Sequence, residues 1–201
     1  MNEKARELGL GGIRFTRLQD ATEADFAVLV PFAEKAHAQV VDNVLAHLQL
    51  LKGDRLGFLV DRFDHSLQTA TRAERDGADE QMIVCALLHD IGDLLAPDHH
   101  GDFAAAVLKP YVSDVHYNVV KYHPEFQGYF YWDKLGRNHL TRDRHKGQPW
   151  FDAAHVFCER WDQVAFDPDY DSLPLDHFLP MVRRVFSGES VQTASFKKKT
   201  A

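Results

Sequence analysis

The chain is poor in sulfur, in long apolar runs and in excess positive charge. Its two cysteines, Cys85 and Cys158, form no C-x-x-C pair, which leaves no disulfide framework to read. Both sit in apolar stretches and are expected as buried free thiols of a reducing, cytoplasmic setting. The longest uninterrupted apolar run, residues 82–88, is too short to span a bilayer, so no membrane association is expected. Residues 1–6 are charged and lack an apolar core, so no secretory signal is expected either. Lysine and arginine (23) are outnumbered by aspartate and glutamate (30), a net charge of −7, which argues against nucleic acid as a partner. No segment alternates with a period of two, so no sheet is expected. What the chain does have is histidine, twelve in all, the commonest metal ligand and the side chain that titrates near neutrality.

The apolar spacing predicts an all-α fold. Thr22, with Asp25 three residues on, reads as the cap of a helix whose stripe runs from Phe26 to Leu51 and ends at Gly53, with Pro31 at its true start or at a kink. A second helix is expected over 55–76, with Leu56, Leu59, Phe63, Leu67 and Ala70 on its apolar face and Asp61, His65, Gln68 and Arg72 on a polar one. A third, over 79–90, is apolar on all sides and should be central. Shorter helices are expected over 103–109, from Ser113 or Asp114 to His123 with Pro124 as the stop, over 150–163 and over 175–186. The stretch 125–148 shows no clear pattern, and residues 188–201 read as a disordered tail. Residues 1–54 are expected to form a helical extension packed on a core domain of 55–187. Its stripe could also form a homodimer interface.

His89-Asp90 closes the most apolar helix. An ionised carboxylate there is costly without a partner. A metal ion is such a partner, and two carboxylate oxygens allow one aspartate to bridge two ions. An isolated His-Asp pair would read better as a helix end whose two side chains bond each other. This pair has company: His65 on the polar face upstream, His99 and His100 ahead of a short helix, His123 at the end of the next, and Asp162 in Glu159-Arg-Trp-Asp162. Imidazole and carboxylate without thiolate suit iron, manganese or zinc.

The order His65…His89-Asp90…Asp162 resembles the HD-domain superfamily, over roughly residues 55–186. Asp64-His65-Ser-Leu-Gln-Thr-Ala70, Ala86-Leu-Leu-His-Asp-Ile-Gly92 and Arg160-Trp-Asp162 are similar to segments of small HD-domain diiron oxygenases, relatives of myo-inositol oxygenase and of phosphonate-cleaving oxygenases. The resemblance implies an HD-type helical bundle with two metal ions. His65, His89, Asp90 and Asp162 would hold one ion, and Asp90, His100 and His123 the other. His100 is preferred over His99 because His100-Gly-Asp-Phe-Ala-Ala resembles the family's helix start. It further implies an Fe(II)/Fe(III) pair that uses O2 to cleave a C–C or C–P bond beside a hydroxylated carbon of a small polar substrate, zwitterionic, quaternary-ammonium or phosphonate. A second reading is an HD phosphohydrolase acting on a phosphate ester or nucleotide with Mn2+, Zn2+ or Mg2+. A third is a metal-stabilised binding module without catalysis.

Where such oxygenases carry basic or proton-donating residues, this chain has Asp93, Gln127 and Glu159. With Arg55 and Phe58 these are the candidate substrate contacts. The two acids would repel a phosphonate unless a cation among Arg55, Arg62, Lys121, Arg137, Arg142 and Arg144 intervened. The aromatic run Phe126, Tyr129, Phe130, Tyr131 and Trp132 would offer a wall for a quaternary ammonium, with ordinary packing as the alternative.

Overall fold

The computed structural model describes residues 12, 13 and 15–188, and the expected tail beyond Gly188 lies outside them. The fold is all-α, with no strand among the described residues. The chain divides into two compact units, one ending at Val44 and the other starting at Leu45.

The single helix expected over 22–52 forms as two. Helix α1 (Glu23–Ala38) starts at the expected cap: Thr22 Oγ1 accepts from the Asp25 N–H, and the Asp25 carboxylate accepts from the Thr22 N–H at 2.9 Å. Pro31 lies inside it. Gln39 (φ −87°, ψ −7°) is the C-cap that ends α1, and α2 (Val40–Gln49) follows at once. Phe26, Val30 and Phe32 of α1 stay about half exposed, whereas Leu45, Leu48 and Leu51 are buried in the second unit.

Helix α3 (Arg62–Arg75) begins a full two turns later than expected. Leu56 (φ 49°) and Gly57 (φ 88°) take left-handed backbone conformations that no α-helix contains. Asp61 supplies the cap, its carboxylate accepting from the Asp64 N–H at 2.8 Å. Leu56 and Leu59, expected in the core, are exposed on the preceding loop. Within α3 the buried hydroxyls of Ser66, Thr69 and Thr71 each donate to the carbonyl four residues back, so none is left unsatisfied.

Helix α4 (Glu80–Leu88), capped by Asp79, has every residue from Met82 to Leu88 buried, as its all-round apolarity demands. Helix α5 (His100–Leu108) starts at His100 rather than at Phe103. Helix α6 (Asp114–Gly128), capped by Ser113, runs through Pro124 instead of stopping there. The ring costs the Val120 carbonyl its usual N–H donor. His123 Nδ1 takes that place, donating to Val120 O at 2.6 Å, so the break is repaired locally. The unassigned stretch holds two short 3-10 turns, Trp132–Leu135 and Thr141–His145. Helix α7 (Phe151–Val156) continues into a wider π-helical segment, Phe157–Asp162, and α8 (Leu175–Ser187) closes the bundle. Helix α4 packs against α3, α6, α8 and the wide segment, which places its C-terminal end at the centre of the second unit. No helix among the described residues is long and apolar enough to cross a membrane.

Candidate metal centre

Five elements converge at the end of α4. His65 comes from α3, His89 and Asp90 from the turn after α4, His100 from the start of α5, His123 from α6 and Asp162 from the wide segment after α7. All are buried except His100, which is partly so. His99, the other candidate, is exposed in the turn before α5.

The hydrogen bonds around the four rings decide their protonation. Each Nδ1 faces a main-chain carbonyl: His65 with Ala165 at 3.0 Å, His89 with Ala86 at 2.8 Å, His100 with Pro97 at 3.0 Å and His123 with Val120 at 2.6 Å. A carbonyl only accepts, so each Nδ1 carries the proton and each neutral ring presents a bare Nε2. Those bare nitrogens face one another. The Nε2 atoms of His65 and His89 are 3.1 Å apart, and those of His100 and His123 are 3.2 Å apart.

The carboxylates add more acceptors. Asp162 Oδ1 lies 3.2 Å from His65 Nε2 and 3.6 Å from His89 Nε2. Asp90 divides its oxygens between the two pairs. Oδ2 is 3.4 Å from both His65 and His89, and Oδ1 is 3.2 Å from His123 and 3.6 Å from His100. A buried cluster made almost wholly of acceptors is repulsive until cations sit within it. Three overlapping groups offer donor atoms within metal-binding reach of one another: His65, His89 and Asp162; His89, Asp90 and His123; and Asp90, Asp93 and His100. The donor set fits a metal of intermediate hardness, such as iron, manganese or zinc.

The metal-free electrostatics agree. Burial opposes the charged forms of Asp90 and Asp162. Even so, the facing histidines (His89 and His123 for Asp90, His65 and His89 for Asp162) hold both carboxylates below the usual range. Burial likewise opposes a charge on His89, yet Asp90 and Asp162 raise its pKa to about 9. Burial pushes His123 down. In the metal-free protein, then, a proton on His89 supplies part of the positive charge the cluster needs. Metal binding must displace it, so below about pH 9 the apparent affinity should rise up to about tenfold per pH unit. A pH-stat titration of the metal-free protein near neutrality should record about one proton released per chain. Proton-neutral metal uptake would contradict this.

Gly92 sets the position of His100. A Cβ there would lie 2.7 Å from both Cα and O of His100, main-chain atoms that cannot step aside. Gly92→Ala should shift the first turn of α5, cost about 1–3 kcal/mol and weaken the His100 side of the centre. The expected result is one ion retained and the other bound about 10–100-fold more weakly, read by metal analysis against a chelator series. Two ions of unchanged affinity would refute it.

Gln127 donates from Nε2 to Asp162 Oδ1 at 2.7 Å and so aims that carboxylate. Gln127→Ala should lower metal affinity about 10–100-fold with the fold intact, as loss of such outer support does elsewhere. A chelator competition that shows no change would remove that role.

Beside the metal centre lies a cavity of about 400 Å³ lined by Phe58, Arg62, Gln127, Phe130, Tyr131, Lys134, Gln163 and Phe166. Phe166 stacks on His65 with ring centroids 4.5 Å apart, which joins the cavity wall to the ligand cluster. Of the expected substrate contacts, Phe58 and Gln127 line this cavity. Arg55 does not: it lies on a separate cleft with Leu59, Asp64 and Tyr170. Glu159 is exposed and pairs with His155 at 3.6 Å, away from the lining. Asp93 is held by Arg62 Nε at 2.8 Å and by His100 Nδ1 at 3.3 Å, so its charge is met inside the protein. Burial and the neighbouring Asp90 raise its pKa. No carboxylate lines this cavity, and Arg62, one of the cations expected to be able to intervene, lines it together with Lys134. Of the aromatic run, Phe130 and Tyr131 line it, while Phe126 is core and Trp132 is buried under Arg137.

Arg62, weighed only among several cations, carried a usable signal: it stands one turn before His65 on α3. Lys134, Gln163 and Phe166 were missed. Phe166 alone had a hint, four residues after Asp162.

Two comparisons with known proteins identify the family. The HD domain family profile matches residues 62–143. A protein of Leisingera caerulea named (1-hydroxy-2-(trimethylamino)ethyl)phosphonate dioxygenase (glycine-betaine-forming) is 30% identical over 166 residues, covering 67% of this chain and 84% of that protein.

Proposed function

This chain belongs to the HD-domain family, and from that premise we propose that it is a non-haem diiron oxygenase. Its reaction uses O2 to cleave the bond beside a hydroxylated carbon in a small polar substrate, with a hydroxylated phosphonate as the leading class. The observation that carries the reading is the convergence of four bare Nε2 atoms and two carboxylates, with every Nδ1 already spent on a carbonyl. The name of the Leisingera caerulea relative supports the choice of O2 and phosphonate.

In this reading His65, His89, Asp90 and Asp162 hold one ion, and Asp90, His100 and His123 the other. The iron pair, when bound, supplies activation of O2 and of the C–H bond next to the hydroxyl. The chain supplies the rest. The carbonyl contacts fix the four rings, and Gln127 aims Asp162. Arg62 balances Asp93 and lies 3.9 Å from Asp90, keeping the charge around the centre matched. Phe58, Phe130 and Phe166 shield the reacting end from bulk water. The compartment is taken to be the cytoplasm, consistent with two buried free thiols.

The test is metal analysis followed by low-temperature EPR of the partly reduced, iron-reconstituted protein. About two irons per chain with a coupled mixed-valent signal are expected. With a hydroxylated phosphonate, O2 uptake should be matched by release of inorganic phosphate. Turnover of phosphate esters with Mn2+ and no O2 uptake would overturn the proposal in favour of a phosphohydrolase.

A further inference from the structure

We propose that Lys134 reads the outer end of the substrate, and that this end carries an anionic group rather than a quaternary ammonium. The inference rests on the oxygenase reading for the position of the reacting end. Two cations line the cavity, and they are not equivalent. Arg62 is half-buried beside the metal ligands, with Nε 2.8 Å from Asp93 and Nη1 3.9 Å from Asp90, so its charge is answered within the protein. Lys134 is exposed, at the mouth, and has no acidic partner among the described residues. A cationic group entering there would meet an ammonium and no lining carboxylate.

The aromatic walls do not reverse that balance. A quaternary ammonium is held by free ring faces. Here Phe166 is stacked on His65 at 4.5 Å and on Phe58 at 5.0 Å, and Phe58 also carries the Arg62 guanidinium at 5.0 Å. Of the four lining rings this leaves Phe130 and Tyr131, and Phe130 already meets Tyr129 edge-on at 5.3 Å. Two rings beside a lysine do not form a cage for a cation. An anion, by contrast, gains a charge-assisted hydrogen bond from an ammonium that is otherwise unmatched.

The experiment compares two compounds on the iron-reconstituted full chain by calorimetry. One is (1-hydroxy-2-(trimethylamino)ethyl)phosphonate. The other is its analogue with a carboxylate in place of the trimethylammonium group. The wild type should bind the carboxylate analogue about tenfold more tightly, and rising salt should shrink the difference. Lys134→Gln should abolish the preference at unchanged iron content, and Lys134→Glu should reverse it. Tighter binding of the trimethylammonium compound by the wild type, or a preference that survives Lys134→Gln, overturns the inference. O2 uptake is followed with both compounds. A tightly bound analogue without any uptake would sink the oxygenase reading and leave the charge preference standing, so the two failures are distinguishable.

Discussion

Replacing Asp90 by alanine should empty both ion positions at once. The two oxygens of this carboxylate point to different histidine pairs, Oδ2 to His65 and His89 and Oδ1 to His100 and His123. Each ion would lose an anionic ligand, and at least about 100-fold in affinity for each is expected, more than an outer-support residue costs. Asp162→Ala is the matched contrast, because Asp162 faces His65 and His89 and is not in reach of the other pair as a shared ligand. It should cost one ion and spare the other. Metal per chain after gel filtration, with circular dichroism to show retained helix, reads both variants. An Asp90→Ala protein that keeps two ions would end the bridging assignment. Two variants that lose the same single ion would end it as well.

Stripping both ions from the wild type should lower its melting temperature by about 20 °C. An ion present at about a thousand times its dissociation constant contributes about 4 kcal/mol. For a domain of this size each kcal/mol moves the midpoint by about 2–4 °C. The structure gives a reason to expect the full amount. Without ions the four Nδ1 hydrogens stay committed outward to Ala165, Ala86, Pro97 and Val120, and the proton on His89 offsets only part of the charge of the two carboxylates. A calorimetric scan before and after chelation, with metal added back, is the measurement. A shift under about 2 °C would mean that the helices hold the cluster together unaided.

The elements that were legible in the sequence are those whose signal is local. The apolar run 82–88 could only be a buried helix, and α4 is one. Thr22, Asp79 and Ser113 are short polar side chains, and each accepts an N–H at a helix start, whereas Asp61, which does the same for α3, reads in the sequence as a residue of that helix's polar face. The start of α3 differs from the expectation because Leu56, Leu59 and Phe63 happen to keep helical spacing across Leu56 and Gly57, whose left-handed backbone breaks the helix. The stop at Pro124 was misread for a different reason. The rule counts the N–H that proline lacks, whereas the structure supplies a side-chain donor from His123 to the carbonyl so released. The residues gathered at the centre were legible because histidine and aspartate recur in a known order. The cavity was not. Its lining comes from the loop before α3, from α6 and the turn after it, and from the segment beyond the wide helix, and no linear spacing relates them. The charge of the pocket was not legible because a sequence gives charges without partners: Asp93 is matched by Arg62, and Glu159 pairs with His155 outside the cavity lining.

The four carbonyl contacts bear on how such a site changes over generations. A main-chain oxygen is the same in every amino acid, so the aim of the imidazoles is stored where substitution cannot erase it. Three of the four rings reach back to the carbonyl three positions earlier, a contact within a single turn of the chain. The cavity wall, built from side chains on loops and turns, has no such protection. Drift will therefore retune which molecule is accepted long before it disturbs the atoms that face the metal. Descendants of one ancestor can diverge in diet while keeping the same inorganic chemistry.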